Sequence, residues 1–511
     1  MKLLDAIAKW AGYAPARRAQ SGFAAADHSR LTAALTSETQ FINTTLRYQL
    51  RTLRARSRQA AQNNPYAKRF AQMVVDNVCG PVPFRLQAKV KFNSGKLDTV
   101  ANKAIEREWG AWGRVGACEL TGKWSWNTAQ RLLVRCLAVD GELLLRKYRG
   151  PDYGRHGYQL QIIDVDRLWE MKNEQLKGGG AIHMGVEVDP TGRPLAYHLL
   201  KRKPAQWQLG YVHETERVPA DEIIHLFVPD FAEQSRGIPW IYAALLNLVH
   251  LGAFEEAAVI AARVGAAQMG VIQSPDGGQT LANSASQDAQ GNPQIDAEPG
   301  SFPVLPPGYE MTGWNPKYPD AAIGPFIKAC LRGISAGVGV AYHNLANDLE
   351  GVNYSSARIG ELDERDAWMG LQTFTIEHLH EPLYADWLRT QVLAGTLPFD
   401  PSRLDKYRDV YWQPRRWAWV DPLKEVRANI EAIEARLKSR TRTIAEQGDD
   451  IEDTFDEIAQ EEALADEKGI DLTPAPSTPA ADTPADGADA GGDGSASGDS
   501  AAGNKSRRRA A

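Results

Sequence analysis

Apolar residues recur at helical spacing over most of this chain and at alternating spacing in one central block. The first 60 residues read as helix. Phe41, Leu46, Leu50 and Leu53 form a partial apolar face, and Arg47, Arg51, Arg54 and Arg58 form a stripe on another. The expected role of that stripe is a solvated face or a contact with a neighbouring subunit, in preference to direct DNA contact. Asn64-Pro65 pairs a capping residue with a proline at the first helical position, and Gly80 is the expected stop. Asn127 is expected to cap a helix ending near Asp140-Gly141. Strand-like runs then cover Glu142–Tyr148, Tyr158–Asp164, Ala181–Val188, Pro194–Lys201 and Glu222–Val228. Asp189-Pro190-Thr191-Gly192 supplies a hairpin turn. The block predicts an antiparallel sheet in a predominantly helical α+β chain.

After Gly237-Ile238-Pro239-Trp240, helical spacing continues to about Gly265. A Gly, Gln, Asn, Ser, Ala and Pro-rich stretch, Ser274–Gly300, follows and reads as a flexible insert. A second helix is expected from Ala321 to about Val338, then a polar loop from Gly339 to Tyr354. The longest helical pattern runs from Ser355 to about Val392, with Ile359, Leu362, Met369, Ile376, Leu379, Leu383 and Trp387 as its apolar positions. Pro382 lacks an amide hydrogen and should kink it. Beyond the tryptophans at 412, 417 and 419, Asp421-Pro422 opens a further helix, and an acidic helix runs from about Ile451 to Gly469. The Ala, Pro, Gly, Ser, Thr and Asp composition after Asp471 buries too little apolar surface to order itself.

Charge is unevenly laid out. Residues 1–110 carry 18 Lys and Arg against 7 Asp and Glu, whereas residues 444–500 carry 17 acids against Lys468 alone. This is a polarised molecule, not a generally basic nucleic-acid binder. Cys79, Cys118, Cys136 and Cys330 lie far apart, which excludes a disulfide scaffold and a cysteine zinc site and fits a reducing compartment. No stretch has 18 consecutive apolar residues, and Asp5 and Lys9 interrupt the apolar start. Neither a membrane span nor a secretory signal is expected, so the chain is expected to be soluble and intracellular when made.

Catalytic motifs are sparse. Gly333-Ile334-Ser335-Ala336-Gly337 matches the G-x-S-x-G elbow by letter, but that motif needs a preceding strand, and the residues before Ser335 have helical spacing. Ser335 reads instead as a small packing residue. His378-Leu379-His380-Glu381 resembles a metal cluster, yet helical ligands pair at i and i+4, so these read as surface residues ahead of the kink. Neither a Walker A sequence nor a GxGxxG fingerprint is present. The expectation is a non-enzyme, with no catalytic residue, metal or cofactor.

Five segments occur in a telling order. They are Arg54-Ala55-Arg56-Ser57-Arg58 with Asn63-Asn64-Pro65; Gln234-Ser235-Arg236-Gly237-Ile238-Pro239-Trp240; Leu305-Pro306-Pro307-Gly308; Asn353-Tyr354-Ser355-Ser356-Ala357-Arg358; and Val420-Asp421-Pro422-Leu423-Lys424-Glu425. Over roughly residues 30–470 the chain resembles the lambda-like portal proteins of tailed bacteriophages, the head-tail connectors.

That resemblance implies a portal-protein fold of wing, stem, clip and crown, assembled as a twelve-membered ring at one capsid vertex. Residues 1–236 would be the wing, 237–266 and 321–338 the stem helices, and 267–320 the clip with its insert at 274–300. Residues 339–354 would be the tunnel loop, 355–420 the long kinked helix with its return, 421–470 the crown, and 471–511 a disordered acidic tail with a basic end. Double-stranded DNA would pass through the ring during packaging and ejection, facing Lys328, Arg332, Asn344, Asn347, Asn353 and Arg358. Gln273, Asp276, Asp296 and Glu298 would face the packaging motor. The implied partners are other copies of the chain, the terminase large subunit, a head-tail connector or head-completion protein, and the major capsid and scaffolding proteins, with no membrane. The implied location is the virion, and the host cytoplasm during assembly. Residues 244–350 hold 4 basic residues against 10 acidic ones, which suits a conduit where DNA slides better than a surface that grips phosphate. Two other readings remain open from the residues: a serine hydrolase using Ser335, such as a capsid-maturation protease, and a helical scaffold binding partners through charged tails.

Overall fold

The computed structural model describes residues 41–201, 214–267, 271–273, 286–287, 293–294, 310–312, 322–350, 354–417, 422–447 and 450–470. The helix expected before Phe41, most of the 274–300 insert, the Asp421 cap and the 471–511 tail lie outside these residues. Two units are distinguished, one up to Asp450 and one from Ile451 onward.

The first unit opens with α1 (Ile42–Asn63) and α2 (Pro65–Val78), which meet at Asn64. The Asn64 side-chain oxygen accepts hydrogen bonds from the Tyr66 and Ala67 amides at 3.0 and 3.1 Å, and Pro65 takes the first helical position as expected. Strand β1 (Arg85–Ala88) leads to α3 (Thr99–Trp112), capped by Asp98, and α4 (Trp126–Asp140). The cap of α4 is Ser125, not Asn127. Ser125 has extended backbone and accepts from the Thr128 amide at 3.2 Å, while Asn127 already lies in the first turn.

Among the described residues nine strands precede the next long helix. After β1 come β2 (Glu142–Arg149), β3 (Tyr158–Ile163), β4 (Glu174–Gln175), β5 (Ala181–His183), β6 (Val186–Val188), β7 (Pro194–Leu200), β8 (Thr215–Pro219) and β9 (Ile223–Phe227). They form a three-stranded antiparallel sheet in the order β3-β2-β9 and a five-stranded antiparallel meander, β4 to β8. The 181–188 run is two strands, because Met184 and Gly185 take positive φ and turn the chain. The expected turn after β6 is present, with Asp189 Oδ1 accepting from the Thr191 and Arg193 amides at 2.8 and 2.9 Å.

Helix α5 (Leu245–Ala267) follows. Short strands β10 (Val271–Gln273) and β13 (Glu310–Thr312) pair antiparallel, as do β11 (Ser286–Gln287) and β12 (Pro293–Gln294) between them. Next come α6 (Ile323–Val338), α7 (Tyr342–Ala346), α8 (Tyr354–Thr375) and α9 (Glu381–Leu393). The segment 339–354 is therefore not loop throughout. The long helix is interrupted, as Pro382 predicted, but by a π turn at Ile376–His380 just before the proline, closed by the Glu381 amide on the Ile376 carbonyl. Strand β14 (Val410–Gln413) returns to pair with β1, and α10 (Pro422–Glu434) and α11 (Arg440–Gln447) complete the unit. The second unit shows α12 (Ile451–Lys468), ending at Gly469 with φ +65°.

The main core is aromatic. Trp109 packs edge-on to Trp387 at 5.0 Å and to Trp412 at 5.6 Å, and Trp112 donates its indole N–H to the Tyr158 carbonyl at 2.9 Å. His380 is fully buried here, 4.5 Å from the Phe84 ring and 4.8 Å from Trp412, so it is not the surface residue its sequence context suggested. Burial pushes its imidazole down to about 3, keeping it neutral. Two expected core positions of the long helix, Leu362 and Met369, are exposed. The buried face of α8 carries Glu364, Trp368, Gln372 and Thr375, and the Gln372 amide spans the Asn77 and Arg415 carbonyls.

The arginine stripe is a solvated face only in its first half, where Arg47 and Arg51 are exposed. Arg54 is buried and bonds Asp166 and Glu170, and Arg58 reaches Asp140, Asp164 and Asp166 at 2.6 to 2.9 Å. Burial alone would lower Arg58, but its hydrogen bond and charge pairing with Asp140, reinforced by Asp164 and Asp166, hold it above its ordinary value. Beside this network, Arg236 is fully buried against the fully buried Glu142. Glu142 also accepts from the Gly237 amide at 3.0 Å and bonds His225 at 2.9 Å. Arg236 donates further to the Met184 carbonyl. The glycines of this joint are obligatory: Gly141 ends α4 at φ +83°, and a Cβ on Gly237 would lie 2.1 Å from the Gly141 oxygen.

Candidate DNA-channel surface

Helix α6 turns Leu331 and Ile334 into the core and leaves Lys328 and Arg332, one turn apart, on its outer side. It ends at Gly339, φ +71°, whose amide bonds the Ser335 carbonyl. Glu364 of α8 then fixes α7, accepting from the Ala341 amide at 3.1 Å, the Asn344 side chain at 2.8 Å and the Trp368 indole at 3.1 Å. Asn344 is thus half-buried against α8, and its carbonyl accepts from Arg69. Asn347, exposed, closes α7 in the left-handed region at φ +53°, a conformation asparagine tolerates.

Lys328 is already paired. Its ammonium lies 2.6 Å from Glu350 and 3.3 Å from Asp348, and these hydrogen bonds raise it above its ordinary value. Asp348 also accepts from the Tyr342 hydroxyl at 2.7 Å and the Glu350 amide at 3.0 Å, and is held below the usual carboxylate range. The Arg332 guanidinium stands 5.6 Å over the Tyr342 ring. Sequence reasoning grouped Lys328, Arg332, Asn344 and Asn347, and the structure brings all four to the junction of α6, α7 and α8. It missed Tyr342, Asp348, Glu350 and Glu364, the groups that bind them. The acids at 348 and 350 were visible in the polar loop, but a partner 20 residues upstream leaves no local signature. Asn353 lies outside the described residues, and Arg358 falls in the first turns of α8. Gln273 ends β10 in register with Glu310; Asp276, Asp296 and Glu298 lie outside the described residues.

Two other chemistries find no support in the geometry. Ser335 is a buried residue inside α6, and the strand–turn–helix of a nucleophile elbow is absent there. Among the described residues no cluster of three His, Cys, Asp or Glu side chains is placed to hold a metal.

Helix α5 presents a different surface. Leu246, Val249, Val259 and Ile260 are 50 to 69% exposed, and Phe326 of α6, edge-on to Phe254 at 4.9 Å, is 50% exposed. By length and composition alone the span Tyr242–Arg263 is apolar enough to cross a membrane, although its most apolar stretch, Ile241 to Phe254, is shorter than a span. Glu255 and Glu256 interrupt it, and Glu255 accepts from the Tyr66 hydroxyl at 2.9 Å.

Residues 28–372 match the phage portal protein, lambda family. The probable portal protein of Halomonas phage phiHAP-1 is 36% identical over 414 residues, 80% of each chain. Portal protein B of Escherichia phage lambda is 23% identical over 80% of this chain and 82% of that one. Among solved structures, a chain from the neck of an empty gene transfer agent particle, computed with C6 symmetry, is 16% identical. It covers 78% of this chain and 93% of the other, with a TM-score of 0.42. With a family match running from before α1 into α8 and a portal protein 36% identical over 80% of both chains, this chain belongs to the lambda family of phage portal proteins.

Proposed function

We propose that copies of this chain form a ring at one vertex of a phage capsid, through which double-stranded DNA is packaged and later ejected. The observation that carries this reading is the uncovered apolar flank of α5 and α6. A lone chain exposes it to water, whereas neighbours in a ring cover it at roughly 25 cal/mol per Å2. That cover also accounts for an apolar helix without calling on a lipid bilayer. Residues up to about 236 serve as the wing, α5 and α6 as the stem, the β10–β13 region as the clip, 339–354 as the tunnel loop and α10 to α12 as the crown. Lys328, Arg332 and Asn347 face the DNA path, and a surface poor in positive charge lets the duplex slide. The clip docks the terminase large subunit and afterwards a head-tail connector, while the ring is held by capsid and scaffolding proteins. Assembly takes place in the host cytoplasm, and the product is part of the virion.

Electron microscopy of purified protein tests the ring, for which twelve copies are expected; a chain that stays monomeric at micromolar concentration refutes it. Asn347→Asp tests the channel. The side chain is exposed, aspartate tolerates the same backbone, and a dodecamer gains about 12 negative charges within reach of a Debye length of roughly 8 Å. Rings and procapsids are expected to form normally, with less DNA packaged and the deficit easing as salt rises. Unchanged packaging at low salt removes this segment from the channel.

A further inference from the structure

Lys328 and Arg332 form a two-cation row on α6, and the chain's own downstream segment occupies both. Asp348 and Glu350 place carboxylate oxygens on the Lys328 ammonium, and Tyr342 both underlies Arg332 and holds Asp348. Two features set this apart from an ordinary surface ion pair. All the anions come from one short turn, with Asp348 bracing Glu350 through its amide at 3.0 Å. The grip is also graded: the Glu350 side chain is 81% exposed and rests on Lys328, whereas Asp348 has a second anchor in Tyr342.

We infer that Asp348 and Glu350 act as internal substitutes for phosphate, masking Lys328 beside Arg332 until a phosphodiester backbone displaces them. The inference rests on the channel reading above and adds its regulation. Exposed pairs of this kind are weak and screened by salt, so a dense line of phosphates competes effectively for the lysine. Glu350 leaves first and Asp348 second. An empty ring thus shows a neutral face, and a filled one exchanges turn carboxylates for DNA phosphates without a static basic surface ever being exposed.

The test compares assembled wild-type protein with the Asp348→Asn/Glu350→Gln variant, reading anisotropy of a fluorescent duplex of about 20 base pairs between about 50 and about 200 mM salt. The variant is expected to bind more tightly at low salt. Each phosphate contact made by an unmasked Lys328 steepens its loss of affinity over that range by about 3.5-fold relative to wild type. Adding Lys328→Met should remove most of the gain. A charge-matched control, Glu377→Gln/Asp405→Asn, changes exposed acids elsewhere and should not reproduce it. Wild-type affinity and salt slope in the variant, an equal gain in the control, or a gain that survives Lys328→Met each overturns the inference. Tighter binding combined with unaltered packaging in Asn347→Asp supports the mask and discards the channel placement, so the two failures are separable.

Discussion

Arg236→Met is the most informative single change in the first unit. The arginine is fully buried, forks onto both oxygens of Glu142 at 2.9 to 3.1 Å through Nε, and donates to the Met184 carbonyl at 2.8 Å. Methionine fills much of the stem volume but leaves a carboxylate with no solvent, with His225 and the Gly237 amide as hydrogen-bond partners and the Arg54 guanidinium no nearer than 3.9 Å. Removing one member of a buried pair costs about 3–5 kcal/mol, because the remaining charge is uncompensated. The pH dependence supplies an independent check. Burial pushes Glu142 up, and the charge of Arg236 with the hydrogen bonds of His225 and Arg236 holds it well below its ordinary value in the wild type. A depressed carboxylate stabilises the fold at every pH above its unfolded value, and that contribution is lost only as pH falls through the lower folded value. In the variant burial acts unopposed by Arg236, the folded value rises above the unfolded one, and stability is recovered as the pH drops and Glu142 takes up a proton. The gap between the two proteins should therefore narrow from about pH 8 to about pH 5. Urea denaturation followed by tryptophan fluorescence reads it, since Trp109, Trp112 and Trp387 lie in the core. A loss below about 1 kcal/mol, or a gap that widens toward acid, refutes this account of the joint.

Two further outcomes follow from neighbouring geometry. Gly237→Ala forces a Cβ within 2.1 Å of the Gly141 oxygen and 2.7 Å of the Glu142 Cβ, so about 3 kcal/mol or more should be lost in the same titration; wild-type stability would mean the two segments can part. His380→Leu replaces a buried ring whose two nitrogens find no hydrogen-bond partner among the described residues, and should leave stability unchanged or raise it by about 1 kcal/mol at pH 7. A buried imidazole lowered to about 3 stabilises the fold above its unfolded value near 6.5 and loses that contribution as the pH falls. The leucine variant should accordingly lose less stability between about pH 6.5 and 3 than wild type does, and an identical acid profile counts against the buried assignment.

Local signals carried much of the fold. Asn64-Pro65, Asp189–Gly192 and Gly469 act through backbone geometry within a few residues, and each does what its chemistry dictates. The errors arise where distant segments decide. Arg54 and Arg58 looked solvated because helical periodicity cannot see Asp140, Asp164, Asp166 and Glu170 arriving from elsewhere in the chain. Leu362 and Met369 looked buried because apolar residues were counted as core, whereas α8 turns Glu364 and Gln372 inward to satisfy carbonyls and amides of other elements. His380 is hidden by Phe84 and Trp412, which no spacing rule connects. At the channel surface the basic residues were legible by type, but their pairing with Asp348 and Glu350 depends on how a turn folds back on α6.

The mutual approach of Gly141 and Gly237 has a consequence for exchanging parts between portals. The backbone of one segment occupies the space a side chain of the other would need, so neither position can be altered first and repaired by the second. A chimera that takes its helical half from another phage must therefore carry the Gln234–Trp240 strip together with the residues that receive it, Gly141 and Glu142. A cut made between them joins two surfaces shaped for different partners. The seam along which such proteins can be recombined lies beyond this crossing, nearer the start of α5 than the end of β9.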